Sequence, residues 1–426
     1  MRKRTCSFVL VIAGCWLWLV TAQAPAEEGW TRFRGPNGSG VVPDSPTVPV
    51  RWTEEDYLWR VTLPGGGHSS PVFWQGRVFL TCADDGKTAQ RIVVCLDADS
   101  GHILWQRHFA SQPHRKHRFN SFASGSAAVD DRHVYVCWST PEQFLVLALT
   151  HQGREVWRRD LGPFVSQHSS GHSPIVYQDL VVVPVFQDEE GGGRSFIVAL
   201  DRRTGETRWR LPRKSTRVAY STPCVFRTPE GKELLIFNSQ SHGVTAVDPE
   251  SGSVVWELSQ VEGKPLLNKR SVSSPIVAGG LVFASCGSGG GGNYVVAVRP
   301  PGEGRTEPQL AFKIDRSAPY VPTPVARGNL VFLWYDRGIV TCVEVPSGRV
   351  VWRRRIGGNF FGSPICVGDR LYCLSAGGEC VVLHAGRRFK LLARNPIGEL
   401  SHATPAVYRG RLYLRTYTHL ICLEKK

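Results

Sequence analysis

Eight times along the chain a small-residue anchor, in seven copies with a proline and read as S/T-x-P or S-P, precedes a short apolar run, and most copies end in an acidic-glycine turn and a tryptophan. The clearest copy holds Ser173, Pro174, Ile175 and Val176, then Leu180 to Val183, then Val198, Ala199, Leu200, Asp201, Thr204, Gly205 and Trp209. The other proline anchors are Pro71, Pro223, Pro275, Pro324, Pro364 and Pro405, and at Ser126 to Val129 alanine replaces proline. Trp59, Trp105, Trp157, Trp209, Trp256 and Trp352 close repeats, with Phe312 and Leu392 read as stand-ins. Most successive anchors lie roughly 40 to 52 residues apart, the length of one four-stranded propeller blade. The expected fold is all-β: an eight-bladed β-propeller of four-stranded antiparallel blades.

The apolar runs are short and β-branched and are bounded by Gly, Asp and Asn, the pattern of strands and tight hairpins. In a turn such as Asp201 to Gly205, glycine takes positive φ without steric cost while aspartate caps free N–H groups. The tryptophan falls on the outer strand, where one blade alone cannot cover it, so it is expected to pack on the neighbouring blade. The last repeat, from Thr404 to Leu423, has only about three strands, while Tyr57 to Leu63 is an orphan strand carrying Trp59. Pairing the two would close the ring and remove its open edges.

Residues 1–24 read as a signal peptide, with basic Arg2, Lys3 and Arg4, an apolar stretch from Phe8 to Val20, and Ala22-Gln23-Ala24 as the cleavage site. The chain is therefore expected to be exported to the periplasm or cell envelope. Lipid anchoring through Cys15 is the alternative, since Ile12 to Cys15 resembles a lipobox; the apolar Trp16 to Val20 after it argues for the soluble form. Residues 25–56 form an irregular arm dense in Gly and Pro, and residues 57–426 form the propeller.

Loss of the signal peptide lowers the net charge from +15 to +12, because Arg2, Lys3 and Arg4 leave with it. The remaining arginines are spread around the repeat in turns and outer strands and are not gathered in a tract interleaved with aromatics, which argues against a nucleic-acid partner. Peripheral membrane association and a monomeric state fit the same composition. Cys95, Cys342 and Cys422 stand where other repeats carry Ala199 and Ala246 and act as small hydrophobes. Cys366, Cys373 and Cys380 fall in consecutive strands of one blade, where a cross-strand disulfide is one alternative.

The A-L-D-x-x-T-G-x-x-x-W pattern of Ala199 to Trp209 is similar to the tryptophan-docking repeat of quinoprotein propellers, and residues 58–423 resemble the PQQ-binding-like β-propeller superfamily, including its BamB-like members. The W-x-x-F-R-G-P-N-G-S-G-V arm, Trp30 to Val41, resembles the opening of exported planctomycete propellers. The resemblance implies either a non-catalytic scaffold of envelope protein assembly that binds a protein partner, or a dehydrogenase that uses PQQ with calcium. The dehydrogenases are marked by a vicinal disulfide, a calcium site, an aspartate base and long insertions. This chain has no Cys-Cys pair, and its acidic run Asp188, Glu189 and Glu190 reads as a solvated hairpin. The scaffold reading is therefore preferred, with no catalytic residue, metal or cofactor assigned.

Propeller ligands sit at the channel mouth, on the loops that lead into the innermost strands. The residues expected there are His68, Asn120, His168, His172, Tyr220, Arg270, Tyr320, Asn359 and His402, a set suited to an anionic or polyhydroxylated ligand. Each also has a plain role, since His and Ser before a strand often satisfy backbone groups. His168 and His172 share a loop but lack a helix or a carboxylate to make them a metal pair. A carbohydrate-binding propeller is the third reading, resting on the same aromatic and histidine-rich mouth.

Overall fold

The computed structural model describes residues 29–425 other than 44, 87, 189–193 and 303; the segment 1–24 read as a signal peptide, with Cys15, and the pair Glu189 and Glu190 lie outside the described residues. Eight four-stranded antiparallel blades follow one another, within residues 72–109, 128–160, 175–213, 224–258, 276–314, 325–355, 365–396 and 406–423. The eighth takes its outermost strand from the other end of the chain. Tyr57–Thr62 runs antiparallel to His419–Leu423, with Trp59 opposite Cys422. Helix among the described residues amounts to single 3-10 turns at Pro36–Gly38 and Glu54–Asp56.

The middle strands are covered on both faces by the neighbouring blades, so Leu180–Val185 is buried throughout, a continuous apolar run rather than an alternating one. The outer strand Thr207–Arg213 instead alternates, with Trp209 and Leu211 turned inward. The core therefore lies between blades: Ile175, Ile197 and Trp209 of the third pack with Leu235, Phe237 and Val247 of the fourth.

Each outer tryptophan docks on the next blade. A Cβ added at Gly252 would lie 2.6 Å from Trp209, and the Trp209 indole N–H donates to the Pro249 carbonyl at 2.8 Å. The same contact joins Trp59 to Gly101, Trp105 to Gly153, Trp157 to Gly205 and Phe312 to Gly348. Opposite the ring stands a small residue, Cys95, Ala148, Ala199, Ala246, Ala297, Cys342 or Cys422. The seventh blade corrects one assignment: the register pairs Val382 with Ala393 and skips Leu392 as the bulge residue, so Ala393 occupies the tryptophan position. Val382 and Ala393 there take the places of the small residue and the ring, so this pair carries no large side chain to dock. Gly205 carries φ +73° and a Cβ there would meet the Trp157 ring at 2.7 Å. Gly205→Ala is expected to cost about 2 to 4 kcal/mol from left-handed strain plus overpacking, read as a drop in urea midpoint.

The hydroxyl ahead of the proline, or of Ala127 in the second blade, links seven of the eight blade junctions. The N–H of Ser70 donates to Ser126 Oγ, Ser126 to Ser173, Thr222 to Ser274, Ser274 to Thr323, Thr323 to Ser363, Ser363 to Thr404 and Thr404 back to Ser70, all at 2.8–3.1 Å. A serine or threonine at the anchor thus pairs the last backbone N–H before the proline, whose own nitrogen has none to give.

The N-terminal arm passes under the ring and plugs one end of the channel. Val41–Val42 adds a parallel strand to the innermost strand of the seventh blade, while the Trp30 and Thr31 carbonyls accept the N–H groups of Phe73 and Val129. Asn37 pairs its amide with both backbone groups of Val225. Arg34, fully buried, donates Nε to the Gly38 carbonyl, one terminal nitrogen to Thr323 and Pro364, and the other to Ser39 and Pro324, all within 3.1 Å. Its five N–H donors are thus spent on five carbonyls. All ten described cysteines are buried free thiols, so the cross-strand disulfide of the seventh blade is not formed.

Candidate functional site

With one end plugged, the channel opens only towards the loops that precede the innermost strands, as a recess of about 1080 Å³. Its floor is Phe33 of the arm, ringed by Ser70, Ser173, Thr222, Ser274, Thr323, Ser363 and Thr404. Eight of the nine residues read from sequence line the recess: His68, Asn120, His168, Tyr220, Arg270, Tyr320, Asn359 and His402. His172 does not. It is 1% exposed, wedged among the rings of Phe144, Phe164 and Tyr220 at 5.2–5.3 Å. An intervening residue explains the difference. His172 immediately precedes the hydroxyl-ring residue Ser173, so it turns between blades while Ser173 faces the channel.

Burial pushes the His172 imidazole down to about 4. The unfolded chain takes up a proton below the ordinary 6.5 and the folded one only near 4, so stability is complete above 6.5 and is lost as pH falls towards 4. The stability of the wild type is expected to fall by about 3 kcal/mol more than that of His172→Leu between neutral pH and about pH 4, measured by denaturant unfolding.

Two walls differ in character. On one, the Arg270 guanidinium lies 3.3 Å from His168 Nε2 and 3.4 Å from Asp188, and His117 stacks on His168 at 4.9 Å. On the other, His68 and His402 face each other at 4.2 Å, His402 lies 4.4 Å from Phe361, and Phe119 lies 4.9 Å from Phe361. Burial lowers the pKa of His68, and the nearby His402, Arg415 and Lys116 lower it further. Burial, then Arg270 and His117, bring His168 to about 4. His117 and His402 are also lowered, chiefly by burial, so these imidazoles are neutral at pH 7.

Several of the residues also hold the loops. Asn120 donates its amide to the His168 and Ser170 carbonyls at 2.6 and 2.9 Å. Tyr220 donates to the Ser169 carbonyl at 2.8 Å. Carboxylates pin loops in the same way: Asp336 accepts the N–H groups of Tyr320 and Val321, and Asp188 those of Gln167 and Val218. Burial raises Asp336 to about 6 despite those donors.

The long connection between the first two blades carries residues that repeat-by-repeat reading passes over. Its run His114, Arg115, Lys116, His117, Arg118, Phe119 crosses the mouth, so that Lys116 lies 3.6 Å from Asp85 and His402 Nδ1 donates to the Phe119 carbonyl at 3.1 Å. The signal was the length of the connection, since a long loop in a compact repeat is usually functional. The even spread of arginine elsewhere hides this one basic cluster.

The fold and recess define the class: a closed eight-bladed propeller with a plugged channel and a single polar mouth. The chain belongs to the family described as outer membrane protein assembly factor BamB, whose model matches residues 89–314 and 292–424. It is 23% identical over 266 residues to the outer membrane protein assembly factor BamB of Yersinia pestis, a match covering 61% of this chain and 64% of that relative's length. Among solved structures it is similar to BamB from Moraxella catarrhalis, with TM-score 0.59, 16% identity and coverage of 87% of this chain and 97% of that one. It is also similar to the quinohemoprotein alcohol dehydrogenase of Comamonas testosteroni, with TM-score 0.65, 13% identity and coverage of 94% and 81%. At these identities the structural likeness shows the fold alone.

The recess does not fit a calcium-held quinone. Asp85 is committed to the Phe122 N–H, the Tyr417 hydroxyl and Lys116, and Asp336 to two backbone N–H groups. Among the described residues no three His, Cys, Asp or Glu side chains are placed to hold a metal ion. Calcium asks for six to eight oxygens, and these two carboxylates, already spent, lie in different blades.

Proposed function

We propose that this chain is exported and acts as a non-catalytic scaffold in envelope protein assembly, holding a protein partner or small polar ligand on its loop face. The observation that carries the reading is the one-ended recess, whose cationic and aromatic walls are pinned by side-chain bonds to neighbouring loops. A pre-formed concave site with a few placed polar groups is how binding sites are built. Membership of a family described as an assembly factor supplies the class of partner. The recess carboxylates Asp85 and Asp336 are occupied in holding loops.

The test is affinity purification of the tagged full chain from its native envelope, with mass spectrometry of what accompanies it. Enrichment of outer-membrane assembly components, lost when residues 114–119 are replaced by a Gly-Ser linker, supports the reading. Recovery of the chain alone, with a Tm equal in both forms, overturns it.

A further inference from the structure

The channel floor carries more positive charge than its walls neutralise. Arg34 is fully buried and bonded only to carbonyls. Arg32, 7% exposed, donates to the Pro223 carbonyl and leaves Nε without a partner. Among the described residues neither has a carboxylate partner. Carbonyl dipoles solvate a guanidinium but do not cancel its net charge, and in a dry site that charge is poorly screened.

Above these groups lies the hydroxyl ring. Its members are 2–6% exposed, and all but Ser126 line the recess. Each bonded hydroxyl accepts an N–H through a lone pair, and among the described residues none donates its own proton. An O–H that has accepted still has its hydrogen to give, so the floor presents a circle of unspent donors over uncompensated cations. The acidic groups of the recess stand higher: Asp85 is paired with Lys116, Asp188 with Arg270, and Asp336 with backbone N–H groups.

We propose that the channel floor receives a carboxylate of an acidic peptide segment, with the hydroxyl ring donating to its oxygens, the plug arginines supplying the field, and Arg270 meeting a second acidic group on the wall. The segment's apolar side chains rest on the opposite wall, where Phe119 and Leu400 are 42% and 47% exposed. Arg32 and Arg34, lowered by burial to about 10 and about 9, remain charged at neutral pH. The ligand class rests on the loop-face reading above, but not on which envelope protein brings the segment.

The experiment is fluorescence anisotropy with the full chain and a labelled peptide of alternating Glu and Phe, against the same peptide with Gln for Glu. The Glu peptide is expected to bind at least about tenfold more tightly, with an advantage that shrinks as salt rises. Arg32→Met is expected to stay folded with at most a small fall in Tm, because relief of a buried charge offsets the single Pro223 carbonyl left without its donor. It should weaken the Glu peptide about fivefold or more while leaving the Gln peptide unchanged. Amidating the C-terminus tells a terminal carboxylate from a side-chain one: a loss as large as that of the Gln peptide assigns the floor to the terminus, and no loss assigns it to a side chain.

Equal affinity for the Glu and Gln peptides overturns the proposal, whatever the variant does. So does an unchanged Glu affinity in a folded Arg32→Met. Peptide binding without an envelope partner in the purification would remove the assembly role and leave the anion site; the reverse would remove the anion site alone.

Discussion

Arg34→Met is expected to lower stability by about 4 kcal/mol or more, the largest effect of any single change outside the blade core. Arg34 ties the arm to the sixth and seventh blades through the Thr323, Pro324 and Pro364 carbonyls and holds the arm's own turn through Gly38 and Ser39. Methionine fills the stem's volume but leaves five carbonyls without donors where little water reaches, at about 1 to 3 kcal/mol for each that cannot be rehydrated. Arg34→Lys should recover only part of the loss, since an ammonium has three donors and no planar fork. Urea unfolding of the two variants measures this. A loss under about 1 kcal/mol for methionine would show that the plug contributes little to closing the ring.

Trp209→Ala is expected to cost about 3 to 5 kcal/mol. The ring is 8% exposed, lies on Gly252 and anchors its N–H to the Pro249 carbonyl, so truncation opens a cavity between the third and fourth blades and strands an acceptor. The neighbours cannot collapse into it, because the Gly252 turn, with φ +72°, is fixed by its own bonds to Asp248. Trp209→Phe should keep most of the packing and lose about 1 kcal/mol with the hydrogen bond. Chemical denaturation decides, and an alanine variant within about 1 kcal/mol of wild type would contradict the docking.

Much of the architecture is legible in the chain because the repeat states the same local problem eight times. Val198 to Trp209 carries a strand, a turn that needs glycine, and a ring that one blade cannot bury, and each statement constrains the others. The loss of the docking ring at the seventh blade was not legible. Leu392 looks like the larger stand-in, but only the bulge, which drops one residue from the register between Val382 and Leu383, shows that Ala393 is the docked position. His172 is a related case, since sequence places a residue in a loop without saying whether its side chain turns to the channel or between blades.

By itself, then, the sequence determined the blade count, the strand order within each blade and the pairing of Tyr57 to Thr62 with the last repeat, because these follow from short-range pattern and from the need to leave no open edge. Tertiary structure alone decided three things. It carried the arm under the ring, where Arg34 meets carbonyls some 290 to 330 residues away in the chain. It joined the anchor hydroxyls into a circle and laid His117 and Phe119 across the mouth to reach His168, Phe361 and His402. The arm and mouth contacts have no period in the chain, and the anchor hydroxyls, though periodic, meet only because closing eight blades brings equivalent positions to one axis.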